Sequence, residues 1–473
     1  MLKNLIILVL IPLFQFGQMN KVLEDWKKDM DLASAGLGFC VLDAKTKTVL
    51  LEQNSQLALI PASTLKVLTT YAALSKLGQH YRFETRLFYT GTLDAASGVL
   101  DGDILILGGG DPSLQSELYN KDNTLVTDKW AKLIKEKGIK EIKGKVIGDA
   151  SYFDRNLPGE WIWADISNYY GAMPNGLSFM DNKFKIVYQT GTKDTEAKLI
   201  SYSPKYNTKT IDISSEVVAD GTSDQAVVYG DPFAFNKLVR GTLPPNKKQY
   251  EIEAALPDPA LLCAEYLCKS LASFGVKCRM EQAVSRYTYV ETGENRQFLF
   301  SHFSPDLDNL VIQTNLKSNN LFCESLLRAL GKGDAKKGLD AVMEYWSQRG
   351  IELSSLNMKD GSGLARANTC SSALLANALA KIHNDTENYK IFLSSLPVAG
   401  KSGSMSNIGK GKWIENNLRA KTGYMERVRA YTGYVKTKSG KDLCFAILVN
   451  NYTCSPAAMK EKIERFFLAL ESF

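Results

Sequence analysis

Apolar positions along this chain change their period several times. Residues 38–44 carry a compact apolar run, Phe39-Cys40-Val41-Leu42; a polar turn follows at Lys45-Thr46-Lys47, and a second run spans 48–51. Short apolar runs on either side of a turn predict a hairpin. From Ser63 onward, Leu65, Leu68, Ala72 and Leu77 recur at helical spacing, and Gly78 supplies a residue with which helices commonly end. Past Tyr81 the pattern shortens to β-like runs at 83–89, 98–107 and 146–149, separated by turns. Gly108-Gly109-Gly110-Asp111-Pro112 follows one of these runs. It lacks a Gly-Lys-Ser or Gly-x-Gly-x-x-Gly pattern, so it reads as a turn and not as a phosphate loop.

Helical spacing returns at 259–274 and then recurs through the last third. A run through Leu326 and Leu330 ends at Gly331, a second helix covers 335–348, and Ser455-Pro456 opens another that carries Ile463, Phe466, Phe467 and Leu470. Residues 417–421, 428–435 and 443–450 read as strands joined by polar turns such as Lys438-Ser439-Gly440-Lys441, which predicts an up-and-down antiparallel sheet. Both ends of the chain thus have α/β (α+β) character. Residues 81–297 interrupt it and read as a mostly β insertion of two subdomains, leaving 19–80 and 298–473 as the halves of one split domain.

At 473 residues the chain exceeds what one core ordinarily organises, and 45% hydrophobic with 23% charged residues describes a globular protein. The net charge of +6 is spread among nearly as many acids as bases, unlike the concentrated basic face of a nucleic-acid binder. Met1-Leu2-Lys3-Asn4 and the apolar run over 5–14 have the form of a secretory signal peptide, residues 1–18, too short to span a membrane comfortably. The remainder is then exported to the periplasm or cell envelope, with peripheral contact at the membrane surface left open. Among the eight cysteines, Cys40, Cys323, Cys370, Cys444 and Cys454 lie in or beside apolar stretches and read as small hydrophobes. Cys263, Cys268 and Cys278 cluster at spacings that fit no zinc or redox motif, and one disulfide among them stays open. The three histidines are far apart, so neither a metal nor an organic cofactor is expected.

Candidate chemistry begins at Ser63. On a helix, residues three apart share a face, so Lys66 can bring its amine to the Ser63 hydroxyl without help from distant chain. A serine hydroxyl is a poor nucleophile until a neighbouring base takes its proton, and an unprotonated lysine can do so. Taken singly, each motif has a bland meaning. Ser-x-x-Lys describes ordinary helix surface, Ser318-Asn319-Asn320 a helix cap, and Lys421-Thr422-Gly423 an edge-strand lysine before a glycine bulge. All three in this order, each in fitting local structure, form the motif set of penicillin-recognising serine enzymes. An aromatic tract, Pro158-Gly159-Glu160-Trp161-Ile162-Trp163 and on to Tyr169-Tyr170-Gly171-Ala172, fits either a cleft wall or a core of large residues under a long loop.

On these motifs the chain resembles the class C, low-molecular-mass penicillin-binding proteins, the D-alanyl-D-alanine carboxypeptidase/endopeptidase family. The likeness extends to Gly109-Gly110-Asp111-Pro112, Tyr170-Gly171-Ala172, Asp360-Gly361-Ser362-Gly363-Leu364 with Arg366, and Ser395-Leu396-Pro397-Val398-Ala399-Gly400. It implies a transpeptidase-like domain of the β-lactamase type, split by a large insertion. It further implies an exported serine DD-peptidase that acts on peptidoglycan stem peptides ending in D-Ala-D-Ala and is acylated by β-lactams. Carried over residue by residue, Ser63 attacks the penultimate D-alanine carbonyl and Lys66 is the base. Lys421 helps to keep Lys66 neutral, and Ser318 bridges the two lysines and passes the proton to the departing amine. Asn320 orients the substrate amide and Lys66, while Lys421 and the Thr422 hydroxyl hold the terminal carboxylate. Gly423 lets the substrate backbone lie close, and the N–H groups of Ser63 and Tyr424 form an oxyanion hole.

Two positions depart from the family's pattern. Asn319 stands where many relatives carry an acid, and Tyr424 where a small hydroxyl residue is usual. The tract from Asp360 to Gly363 reads as a tight turn in preference to a direct catalytic part. Competing readings are a β-lactamase or esterase using the same residues, and a non-catalytic muropeptide-binding protein, against which the intact Ser63, Lys66 and Lys421 weigh.

Overall fold

The computed structural model describes residues 17–122, 124–288 and 296–473. The apolar run over 5–14, and with it most of the expected signal segment, lies outside the described residues. Five strands drawn from both ends of the chain form one antiparallel sheet. Their order is Arg419–Met425, Val428–Lys436, Asp442–Asn450, Gly36–Asp43 and Val49–Gln53. Gly36–Asp43 pairs along its whole length with Asp442–Asn450 and so ties the N-terminal segment to the C-terminal one.

Alternation along these strands sends side chains to two buried clusters. Phe39 and Val41 join Phe445, Ile447 and Val449 on one face, while Cys40 and Leu42 join Cys444, Ala446 and Leu448 on the other. A sheet covered on both faces needs unbroken apolar runs, which is why 39–42 and 443–449 carry no charged residue. The helices Gly17–Lys28 and Pro456–Ala469 cover the first face, where Trp26 stacks on Phe466 at 5.5 Å between ring centroids and Phe39 lies 5.2 Å from Phe466. Ser455 caps the second of these helices by accepting the Ala458 N–H at 3.2 Å. The helices Lys66–Leu77, Asn320–Leu330 and Ser372–His383 cover the other face.

Four further sheets lie between the two halves among the described residues. The largest runs Ala283–Arg286, Val146–Asp149, Ile104–Leu107, Glu84–Tyr89, Gln297–Phe303. Gln297–Phe303 straddles the boundary expected at 298, and it pairs with Glu84–Tyr89 inside this sheet. The chain therefore enters and leaves the inserted sheet on neighbouring strands, the arrangement that lets a segment be inserted with its ends close together. Buried apolar side chains from Leu87 to Leu299 form one cluster beneath the inserted sheets, where the sequence reading has two subdomains. The glycine tract is a close crossing of backbones: an added Cβ would lie 2.2 Å from the Gly176 carbonyl oxygen at Gly108 and 2.1 Å from that of Glu84 at Gly109. Cys40, Cys323, Cys370 and Cys444 are buried, and the sulfur atoms of Cys268 and Cys278 lie 2.9 Å apart. No helix among the described residues is long and apolar enough to cross a membrane.

Candidate active site

Ser63 precedes the α-helix on which the sequence places it. Ala62–Leu65 is a 3₁₀ turn, and the α-helix begins at Lys66. Side chains three apart eclipse in a 3₁₀ turn, and Lys66 Nζ comes 3.0 Å from Ser63 Oγ. The turn carries strain, because Ala62 has a φ of 46°, a conformation that costs a non-glycine residue about 1–3 kcal/mol. Two glycines close around it. A Cβ on Gly363 would lie 2.0 Å from the Ala62 carbonyl oxygen, and one on Gly423 2.5 Å from that of Pro61. Gly423 thus makes room for the protein's own Ser63 turn, a different reason for glycine from the expected approach of substrate.

Lys66 and Lys421 are completely buried. Lys66 Nζ also reaches Asn320 Oδ1 at 2.5 Å and the Ser362 carbonyl at 2.7 Å. Burial lowers its pKa, against the opposing pull of Cys323, Asp360 and Glu324. Lys421 is driven well below the ordinary lysine range, by burial first and then by the charge of Lys66. The sequence reading credits Lys421 with keeping Lys66 neutral; the downward shift of Lys66 comes from burial, and the repulsion between the amines falls on Lys421.

The middle motif divides its work among three residues. Ser318 ends the helix Leu307–Lys317 with a left-handed φ of 57°, Asn319 caps the next helix by accepting the Phe322 N–H at 3.1 Å, and Asn320 begins that helix. Asparagine and aspartate cap equally well, so the departure at position 319 leaves this local geometry intact. Ser318 Oγ accepts from Lys421 Nζ at 2.8 Å. Among the described residues no hydrogen bond joins it to Lys66, so the expected bridge between the lysines exists on the Lys421 side alone. Asn320 Nδ2 donates to the Tyr170 carbonyl at 2.7 Å, which turns Oδ1 toward Lys66. Thr422 Oγ1 donates to Ser404 Oγ at 2.7 Å, and Tyr424 is half-exposed beneath the Arg429 guanidinium.

Ser63, Ser318, Asn320 and Tyr424 line one cleft of about 760 Å³, walled also by Tyr169, Tyr170, Asp165, Leu364 and Arg366. Lys66, Lys421, Thr422 and Gly423 are buried behind this lining. A hydroxyl, a buried amine within reach of it and a second amine beside the same cleft are the parts that nucleophilic acyl transfer requires. A model of the family described as D-Ala-D-Ala carboxypeptidase 3 (S13) matches residues 19–470.

The chain belongs to the S13 family. D-alanyl-D-alanine carboxypeptidase DacB of Haemophilus influenzae is 26% identical to it, over 90% of this chain and 88% of the relative. The D-alanyl-D-alanine carboxypeptidase of Actinomadura sp. (strain R39) is 27% identical, over 91% and 80%. The crystal structure of penicillin binding protein 4 (dacB) from Haemophilus influenzae shares the fold with a TM-score of 0.77 at 22% identity, covering 95% of this chain and 98% of that one. The protein is thus a serine-type D-Ala-D-Ala carboxypeptidase with the penicillin-binding-protein fold, as its motifs imply.

Several parts of this S13 site carried no signal in the sequence. Ser404 belongs to no motif, and Asp165 and Glu324 are single acids with no spacing to mark them. Trp161 turns out to be buried, its Nε1–H donating to Asp360 Oδ2 at 2.8 Å. The tract beginning at Asp360 is the turn expected, with the Asp360 carboxylate accepting the Gly363 and Ala365 N–H groups, each at 2.6 Å. Its unforeseen contribution is the Ser362 carbonyl on Lys66.

Proposed function

We propose that Ser63 is the nucleophile of this carboxypeptidase and forms an acyl-enzyme with the penultimate D-alanine of a peptidoglycan stem peptide. The observation that carries this reading is the surroundings of Lys66. Its buried amine lies 3.0 Å from Ser63 Oγ, and its two other partners are carbonyl oxygens. A neutral amine has two hydrogens and one lone pair. With both hydrogens given to Asn320 Oδ1 and the Ser362 carbonyl, the lone pair faces the Ser63 hydroxyl.

As Ser63 Oγ bonds to the carbonyl carbon, its proton passes to Lys66. The N–H groups of Ser63 and Tyr424 donate to the oxyanion, each such donor typically being worth ~3 kcal/mol. Collapse breaks the C–N bond, and the departing nitrogen takes a proton from Ser318. Because Ser318 accepts from Lys421, its own hydrogen is free for that nitrogen. The proton held by Lys66 restores it by way of a cleft water, since the two side chains share no direct hydrogen bond. Water then hydrolyses the ester with Lys66 again as base, releasing the shortened stem peptide. Asn320 orients the substrate amide. Lys421 and the Thr422 hydroxyl suit the terminal carboxylate, whose charge favours reprotonation of the buried Lys421. β-Lactams acylate the same oxygen.

Cross-link cleavage uses identical steps with the amine of a second stem peptide as leaving group, and a cleft of about 760 Å³ supports that DD-endopeptidase reading. The separate sheets support a split catalytic part, expected as 19–80 and 298–473 around an insertion over 81–297, except that the strand Gln297–Phe303 pairs with the inserted sheet. The leader over 1–18 supports export to the periplasm or cell envelope. The test incubates a stem pentapeptide ending in D-Ala-D-Ala with the protein and with Ser63→Ala. Free D-alanine from wild type alone is the expected result; release by Ser63→Ala at a similar rate rejects Ser63 as the nucleophile.

A further inference from the structure

The steps above leave one buried acid unused. Glu324 lies one helical turn past Asn320 with its side chain 1% exposed, and it does not line the cleft. Its Oε1 accepts the Gly361 N–H at 2.9 Å and the Ser362 N–H at 2.8 Å. Thr69 Oγ1 donates at 2.8 Å to the Gly361 carbonyl, which shares a peptide plane with the Ser362 N–H. That plane is held at both edges. The next plane carries the Ser362 carbonyl that meets Lys66, and its N–H, from Gly363, is held by Asp360. Glu324 Oε2 has no hydrogen-bond partner and lies 3.6 Å from Arg328 Nη1. A carboxyl buried beside a single, poorly aligned cation costs stability, so packing gives no reason for an acid at this position. The two N–H groups do.

We propose that Glu324 is a positioning residue for acylation: by holding the Gly361 and Ser362 N–H groups it fixes the Ser362 carbonyl on one hydrogen of Lys66, which leaves the lone pair for Ser63. This rests on the reading of Lys66 as the base. Without Glu324 the 361–362 plane is held at its Thr69 edge alone and can turn about it, the Ser362 carbonyl leaves Nζ, and the amine no longer presents its lone pair to the hydroxyl. Substrate affinity is untouched, because Glu324 is outside the cleft.

The test measures acylation by a fluorescent penicillin over a range of concentrations, which separates the dissociation constant of the first complex from the acylation rate constant, together with thermal melting. Glu324→Gln keeps an oxygen at the right reach and removes the charge. Glu324→Asp keeps the charge and withdraws the oxygens. The paired Glu324→Met/Arg328→Met variant removes both partners of this pair, so that neither is left alone; Asp154, which also meets Arg328 at 3.3 Å, keeps the Ala335 N–H at 2.6 Å. Displacement of a reacting group by a fraction of its reach costs about a hundredfold, so the Asp and paired Met variants should acylate about that much more slowly at an unchanged dissociation constant. The Gln variant should acylate within about threefold of wild type, as expected where a neutral acceptor replaces a charged one. Wild-type acylation by the Asp variant overturns the proposal, as does a loss that appears in the dissociation constant, or a Gln variant as slow as the Asp one. The Gln and Asp comparison decides whether or not the paired Met variant folds. Lys66→Met is measured alongside: if it acylates normally, the base assignment has failed; if it is inert while the Asp variant is normal, only the role of Glu324 has failed.

A separate observation concerns the inserted part. Cys268, buried on the helix Pro259–Ser273, and Cys278, ten positions on, bring their sulfur atoms to 2.9 Å. Cys263 is fully buried earlier on the same helix and is not part of this contact. We infer that Cys268 and Cys278 form a disulfide on oxidation, clamping the helix to the segment that leads into Ala283–Arg286. Each thiol gives up a proton and an electron as the S–S bond forms, and a disulfide oxidant such as oxidised glutathione is reduced to two thiols. Native protein treated with oxidised glutathione, alkylated in denaturant and digested should yield one peptide pair joined through 268 and 278. Alkylation or glutathionylation of both cysteines, or a link that includes Cys263, overturns the inference.

Discussion

Lys66 has three oxygens around it, and as a neutral amine it can donate to only two of them. The proposed chemistry follows from that count, and it has a pH signature. Burial lowers the Lys66 pKa, so protonation that silences the base sets in below the ordinary lysine range. Penicillin acylation should rise with pH through that depressed pKa, and Lys66→Met should remove the rise and slow acylation by about 10²–10⁴-fold, read by stopped-flow fluorescence. Glu324 has the opposite shift: burial, then the Asp360 charge, raises it from 4.5 to about 7. The folded protein therefore holds a proton that the unfolded chain releases, and the stabilisation is complete below pH 4.5 and lost as pH rises through about 7. Glu324→Gln should flatten that part of the pH dependence of urea unfolding. At this scale the sequence was most legible where a motif is local. Ser63 with Lys66, and Ser318 with Asn320, are set by one turn and one cap. Ser362 and Tyr170 act through backbone carbonyls, which any residue type supplies, so nothing in their side chains could have announced them.

The elements around the site were legible to the extent that one face shows. Residues 39–42 and 443–449 announced themselves as strands because a sheet buried on both sides writes an uninterrupted apolar run. The helix Ser372–His383 went unread for a related reason: alanine and leucine surround it on nearly every side, so no stripe stands out. The start of the Lys66 helix was misplaced because a 3₁₀ turn and a first α turn look alike in sequence. Phe39 binds the first strand to the packed rings of Trp26 and Phe466. Phe39→Ala should cost about 3–5 kcal/mol of stability, measured by denaturant unfolding, while the folded fraction still acylates, since this cluster lies on the sheet face away from the Lys66 helix.

Across the whole molecule, the insertion walls part of the cleft, and two of its residues also orient groups of the catalytic part. Tyr170 supplies the carbonyl that aligns Asn320, and Trp161 donates to Asp360, which holds the turn bearing the Ser362 carbonyl. Both contacts join residues far apart in the chain, which is why the aromatic tract could be noticed in the sequence but not assigned. Trp161→Phe removes one donor and keeps an aromatic ring, at the cost of a smaller fill of the site. It leaves a buried carboxylate oxygen one partner short, a loss of about 1–3 kcal/mol, and should slow acylation with little change in penicillin affinity, as read by the same titration. The measurement that bears most directly on Ser63 as nucleophile is peptide mapping by mass spectrometry after brief exposure to penicillin. The expected result is a single penicilloyl adduct on the peptide that contains Ser63, absent from Ser63→Ala and strongly delayed in Lys66→Met. An adduct on any other residue, or undiminished labelling of Ser63→Ala, would contradict it.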